Sequence, residues 1–266
     1  VTIFERLAAA LHNDEPVALA TRLDDVATGT KLIVDERGAL GDLGSTGLNA
    51  TVEAEARALL TLGETALRTF GENGEPIPIG REARIFIQTF APKPDMYIFG
   101  AIDFSRAMAR IGRYLGYRVT VVDARPVFAT AQRIPDADKV VVAWPDEFLS
   151  GARVDDRTAI IVLTHDVKFD LPLLRVALGT AAGYIGAMGS RRTHATRVDG
   201  LREAGVSEAA LARISAPIGL DIGARTPEET AISIASEIVA LRAGRSGGRL
   251  RESSLPVHPQ TSTASR

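Results

Sequence analysis

At 266 residues the chain is long enough for one large domain or two small ones, each with a real core. Its 31 Lys and Arg stand against 33 Asp and Glu, so no global field favours nucleic acid or an anionic membrane surface. It has no cysteine, which excludes a disulfide, a persulfide, a thiolate nucleophile and a thiolate metal ligand on this polypeptide.

No apolar run approaches the ~20 residues of a membrane span. The opening stretch, VTIFERLAAALHNDEPVAL, lacks a basic segment followed by an apolar one, so it does not read as a signal peptide and a cytoplasmic location is expected. Phe4, Leu7, Ala8 and Leu11 predict a short amphipathic helix. Val17–Leu23 and Lys31–Asp35 have the pattern of strands. Gly38, Gly41, Gly44 and Gly47 follow in a loop, and Asn49 is placed to cap a helix through Val52, Ala56, Leu59 and Leu60. That glycine-rich loop could hold an anion, or it could be a set of tight turns. Strands at Thr65–Phe70 and Arg84–Phe90 complete a small α+β module over residues 1–90.

Residues 91–95, Ala-Pro-Lys-Pro-Asp, read as a proline-stiffened linker. Residues 96–243 then alternate apolar strand runs with helical stretches. The rhythm predicts an α/β domain, a Rossmann-type parallel sheet with helices on both faces. Its first unit is the clearest. Met96–Phe99 is a buried strand ending at Gly100, and Phe104, Met108, Ile111 and Leu115 recur at helical spacing. Gly116 closes that helix, and Arg118–Asp123 is the second strand. Residues 244–266 turn polar and Ser/Thr/Pro-rich, and are expected to be disordered.

Ligands in such sheets bind beyond the carboxyl ends of the strands. Four clusters fall there. In the first, Gly100 is the sole survivor of a G-x-G-x-x-G/A fingerprint, because Ile102 and Ser105 hold the other glycine positions. The Ile102 Cβ would crowd a pyrophosphate, and Asp103 adds a like charge. In the second, Asp123 lies about 20 residues further on, where a ribose-binding acid belongs, and Arg125 could meet a 2′-phosphate. NAD(P) binding at these residues is therefore disfavoured. The third is Thr164-His165-Asp166, where His165 and Asp166 suggest a ligand-orienting role more than catalysis. The fourth is Gly189, Ser190, Arg191, Arg192 and His194. Basic residues in an opening helical turn oppose the dipole, so they suit a bound anion, although a solvated basic face has the same composition. A later loop offers Asp221 and Arg225, which either reach a ligand or pair with each other. Thr226, Pro227 and Glu229 form a capping box behind it. No metal-ligand spacing and no nucleophile elbow occur, so no catalytic or metal residue is assigned.

AGYIGAMGSRRTHATRVDGLREAG and PIGLDIGARTPEETAISIASEIVALR closely resemble the XdhC/CoxI family of xanthine dehydrogenase accessory proteins, and THDVKFDLPLL, DARPVFATAQRIPDAD and FAPKPDMYIFG fit the same family. The resemblance is strong over about residues 85 to 243 and weaker over 15 to 75. It implies an XdhC module followed by a Rossmann-type domain, in an accessory factor that is not itself catalytic. Such a factor binds the molybdenum cofactor transiently, protects it, supports its sulfuration and inserts it into a xanthine dehydrogenase-type molybdoenzyme.

A cysteine desulfurase is a further implied partner, and a homodimer is left open. The cofactor's phosphate would sit among Ser190, Arg191, Arg192 and His194, facing His165 and the Asp221 loop, with the pterin across the cleft between modules. Two motifs depart from the family. Gly47 stands where it has a cysteine and Asn49 where it has a glutamate. Its phosphate turn, close to G-A-G-H-V-A, is here Gly100-Ala-Ile-Asp-Phe-Ser105. The alternatives are an NAD(P)-binding oxidoreductase, with His165 as proton donor, and a protein-interaction scaffold.

Overall fold

Neighbouring residues of the N-terminal strands turn to opposite faces, and a helix packed on each face builds the first unit. In the computed structural model, which describes residues 1–76, 81–164 and 166–255, the chain divides into two compact units at Pro92 and Lys93. The first contains α1 (Ile3–His12), β1 (Val17–Arg22), β2 (Lys31–Asp35), β3 (Gly38–Gly41), α2 (Thr46–Leu62), β4 (Ala66–Gly71) and β5 (Glu82–Phe90). Its sheet is antiparallel in the order β3-β2-β1-β5-β4. Ala18 and Ala20 face α2 with Leu32, Val34, Ile85 and Ile87, while Val17, Leu19 and Ile33 face α1.

Three local expectations are corrected here. The buried side of α1 is Ile3, Leu7 and Ala10, whereas Phe4 is 77% and Leu11 49% exposed. Gly38–Gly41 is a strand paired with β2, not loop. Helix α2 begins at Thr46, capped by the Ser45 side chain, which accepts from Leu48 N. Asn49 is inside that helix, where its side chain accepts from Leu43 N at 2.8 Å and donates to Asp42 at 2.9 Å. Gly47 is helical too.

The second unit contains β6 (Asp95–Phe99), α3 (Asp103–Tyr114), β7 (Arg118–Asp123), β8 (Lys139–Val142), α4 (Pro145–Ser150), β9 (Ala159–Val162), α5 (Val167–Leu178), β10 (Tyr184–Ala187), α6 (Arg191–Glu203), α7 (Glu208–Leu211), β11 (Ile214–Ser215) and α8 (Pro227–Arg242). All pairings are parallel, in the order β11-β10-β9-β6-β7-β8. This is a doubly wound sheet, in which the strand order runs outward in both directions from its middle. Met96, Ile98, Val119, Val121 and Ile161 face α3 and α8 on one side. Tyr97, Phe99, Val122, Ile160 and Val162 face α4, α5 and α6 on the other. The expected class, with helices on both faces, holds.

The capping box of α8 forms as its sequence specifies, with Thr226 accepting from Glu229 N and Glu229 accepting from Thr226 N, both at 3.1 Å. Its apolar face is narrower than the spacing suggested. Ala231, Ile234, Ala235 and Ile238 are buried, whereas Ile232 and Leu241 face outward. Of the polar tail, residues 250–252 form a 3-10 turn, and residues 256–266 lie outside the described residues. Among the described residues no helix is long and apolar enough to cross a membrane.

Candidate functional site at the switch point

The sheet order reverses between β6 and β9, so the chain leaves their carboxyl ends in opposite directions and opens a crevice. A cavity of ≈ 330 Å³ lies there, lined by Gly100, Ile102, Asp123, Ala124, Arg125, Pro145, Leu163, Thr164, Asp166 and Phe169. Gly100 has φ +101°, and a Cβ on it would come within 2.9 Å of Thr164 Cγ2 and 3.2 Å of Thr164 N. The turn therefore requires glycine for both its conformation and its closeness to the next loop.

The amides of this turn are spent inside the protein. Gly100 N donates to Val122 O at 2.8 Å, Ala101 N to Asp123 Oδ2 at 2.7 Å, and Ile102 N to Ser105 Oγ at a long 3.4 Å. Ser105 is fully buried beneath the turn and donates to Gly100 O. Ile102, as N-cap of α3, brings no side-chain acceptor. A pyrophosphate would find few of the donors that the intact fingerprint presents.

Asp123 is committed as well. Besides Ala101 N, its carboxylate accepts from Arg125 N and Nε, both at 2.9 Å, and from Arg125 Nη2 at 2.8 Å. Burial opposes its ionisation, but these hydrogen bonds outweigh burial and hold Asp123 below the usual carboxylate range. The Arg125 guanidinium also lies 4.4 Å over the Phe128 ring. It is raised above its ordinary value by the Asp123 hydrogen bonds first, with Asp166 adding to the field. Asp166 is exposed and caps α5, its Oδ1 accepting from Lys168 N at 3.0 Å. His165 lies outside the described residues.

The fourth cluster sits at the start of α6, after β10. Ser190 is the N-cap, accepting from Thr193 N at 3.1 Å, and its hydroxyl pairs with Thr193 Oγ1 at 2.9 Å. Gly189 has φ +146°, with the Arg197 guanidinium 3.2 Å from where its Cβ would be. Arg191 and Arg192 are exposed and have no partner among the described residues. His194 is half-buried, its Nδ1 without a partner among the described residues, and burial with the Arg197 charge lowers its pKa, which favours neutral imidazole.

A fifth feature escaped the reading of the sequence. Arg197 is fully buried in α6 and pairs with Asp170 of α5, also fully buried, through Nε at 2.9 Å and Nη2 at 2.5 Å. Arg197 Nη1 donates to Met188 O at 2.7 Å and Nη2 reaches Thr164 O at 3.4 Å, while Thr164 Oγ1 donates to Asp170. One guanidinium thus fixes the loops that follow β9 and β10. The available signal was an acid and a base at apolar-face positions, Asp170 in register with Leu173, Leu174 and Ala177, and Arg197 with Leu201.

The residues expected to act therefore fall into two groups. Gly100, Ile102, Asp123, Arg125 and Asp166 share the switch-point cavity, with Ser105 beneath it. Gly189, Ser190, Arg191, Arg192 and His194 do not line that cavity, and join it through Arg197 and Thr164. Asp221 and Arg225 are exposed, and no ion pair joins them. Their loop is clamped to α8, where Gly219 N donates to Glu237 at 3.0 Å and Ser233 Oγ donates to Leu220 O at 2.6 Å.

With this geometry in place, residues 96–238 match the family model described as the XdhC Rossmann domain. A protein of Bacillus subtilis (strain 168) named as a probable xanthine dehydrogenase subunit is 31% identical over 158 residues, covering 59% of this chain and 46% of the relative. The molybdenum cofactor insertion chaperone PaoD of Escherichia coli (strain K12) is 31% identical over 153 residues, covering 58% of this chain and 42% of the relative. The chain spans less than half the length of these relatives. Among solved structures, a xanthine dehydrogenase from Bacillus halodurans superposes with a TM-score of 0.53 at 19% identity, covering 96% of this chain and 98% of that one, a likeness of fold.

Proposed function

Because the chain belongs to the XdhC family, we propose that it is an accessory factor that holds the molybdenum cofactor as cargo for a xanthine dehydrogenase-type molybdoenzyme. Two relatives support the reading, one named a molybdenum cofactor insertion chaperone and the other a probable xanthine dehydrogenase component. The observation that carries it is the start of α6. Arg191 and Arg192 oppose the helix dipole and have no partner among the described residues, in a turn whose first amides have no helical acceptor.

The helix dipole disfavours such an arrangement, and a bound phosphate would favour it. The cofactor's phosphate would take the Arg191 and Arg192 amides together with their guanidinium groups, which suit bidentate phosphate contacts. Gly189 lets the loop turn tightly at that point. The insertion step, transient release to the client enzyme, and sulfuration with a desulfurase partner belong to the same proposal. In sulfuration this chain can hold the cargo but supplies no thiol, since it has no cysteine. A hydride-transferring NAD(P) enzyme is the weaker reading, because the turn amides and Asp123 are already engaged.

The test is retention of cofactor released from a molybdoenzyme, assayed as the fluorescent pterin oxidation product after free and bound fractions are separated. Charge-assisted bonds contribute about 1.5–3 kcal/mol each, so Arg191→Gln with Arg192→Gln should weaken retention by roughly a hundredfold or more. Unchanged retention in the folded double variant would remove this site.

A further inference from the structure

The switch-point cavity is built for something other than phosphate. Its turn amides are bonded within the protein, and the one cation among its described lining residues, Arg125, is paired with Asp123. Four of its walls, Ile102, Pro145, Leu163 and Phe169, are apolar. Among the described lining residues, the side-chain acceptor left to recognise a ligand is a carboxylate. Asp166 Oδ1 accepts one hydrogen bond, from Lys168 N at the α5 cap, and keeps a further lone pair, while its second oxygen has no partner among the described residues.

We propose that this cavity takes a flat 2-amino-4-oxopyrimidine ring, the recognition edge of a pterin, with Asp166 accepting its paired N–H donors. The inference rests on the cargo reading and assigns the other end of that cargo. A ring N–H and an adjacent exocyclic amine present two parallel donors, the pattern a carboxylate accepts through both oxygens, as it does from a guanidinium. The apolar walls cover the ring faces, and ≈ 330 Å³ lies in the range of small-ligand pockets.

The placement also suits the phosphate site. The cavity wall at Thr164 follows β9, and the start of α6 follows β10, the neighbouring strand, at a spacing of about 4.8 Å. Arg197 grips both loops, through Thr164 O and Met188 O, which fixes the distance between the two ends of a bound molecule. Under this proposal the pterin lies at the switch point of the second unit rather than across a cleft between the modules.

The chain carries its own reporter. Trp144 is the only tryptophan, and its ring lies 5.2 Å from that of Phe169, a cavity wall. Free pterin, guanosine, NAD⁺ and AMP would each be titrated into the full chain, following Trp144 emission and, in parallel, heat by calorimetry. Pterin should bind, and Asp166→Asn should weaken it by about tenfold or more, since asparagine keeps the helix cap but puts one donor where an acceptor is needed. Guanosine binding with the same Asp166 dependence would support the ring class, and the stronger of the two ligands would identify its source.

NAD⁺ or AMP binding that ignores Asp166→Asn, with pterin silent, would overturn the proposal in favour of a nucleotide site. Retention of released cofactor without any binding of free pterin would overturn this assignment and leave the cargo reading standing. Pterin binding that depends on Asp166, with no cofactor retained, would support the ring site and overturn the cargo reading.

Discussion

Arg197→Met is expected to destabilise the second unit by about 3–5 kcal/mol, because it leaves the Asp170 carboxylate buried without its counter-charge. The pair has no exposed face, with side chains 1% and 0% accessible. Three of its contacts would go at once, to Asp170, Met188 O and Thr164 O. The loss is a large share of a typical domain's stability of about 5–15 kcal/mol, so the urea midpoint should fall sharply. Replacing both partners, Arg197→Met with Asp170→Leu, should recover much of the loss, since an apolar pair of similar volume leaves no buried charge behind. Arg197→Lys keeps the charge without the planar fork and should fall between them. A single variant within about 0.5 kcal/mol of the parent would mean that this pair does not hold the two loops.

Gly47→Ala should lower stability by about 1–3 kcal/mol, although alanine in a helix is ordinarily favoured over glycine by up to about 1 kcal/mol. The sign is reversed by a close approach. A Cβ at Gly47 would lie 2.2 Å from Asn73 O, a backbone atom in the turn after β4. That turn cannot swing away freely. Gly71 N donates to Glu75 O at 2.9 Å, Ser45 Oγ donates to Glu72 O at 2.8 Å, and Thr51 Oγ1 donates to Gly74 O at 3.0 Å. Gly47→Cys would press a larger side chain against the same carbonyl and should carry at least the same penalty. Equal or higher unfolding midpoints for Gly47→Ala would show that the turn does not press on the helix.

Much of the second unit was legible because its signals are local. Met96–Phe99 ends at a glycine, α3 repeats its apolar positions at helical spacing, and Thr226-Pro-Glu-Glu229 specifies a cap whatever lies around it. What escaped depends on contacts distant in sequence. Asn49 looked like a helix cap, but Ser45 takes that role because Asn49 is drawn back to Leu43 and Asp42. Arg197 sits among the arginines of a polar helix, and only its register with Leu201 and the acid on α5 distinguishes it from Arg191 and Arg192.

The cavity illustrates the same limit from the other side. The lost fingerprint glycines were visible in the sequence and made nucleotide binding doubtful. That Ser105 and Asp123 absorb the turn's amides, leaving Asp166 as the available acceptor, needs the folded geometry.

The proposed cargo of this chain is the molybdenum cofactor. Its most direct measurement is the stoichiometry with which the purified protein retains cofactor released from a molybdoenzyme, read as the fluorescent pterin oxidation product. Retention approaching one equivalent per chain is the predicted result. No retention by correctly folded protein would rule out this cargo.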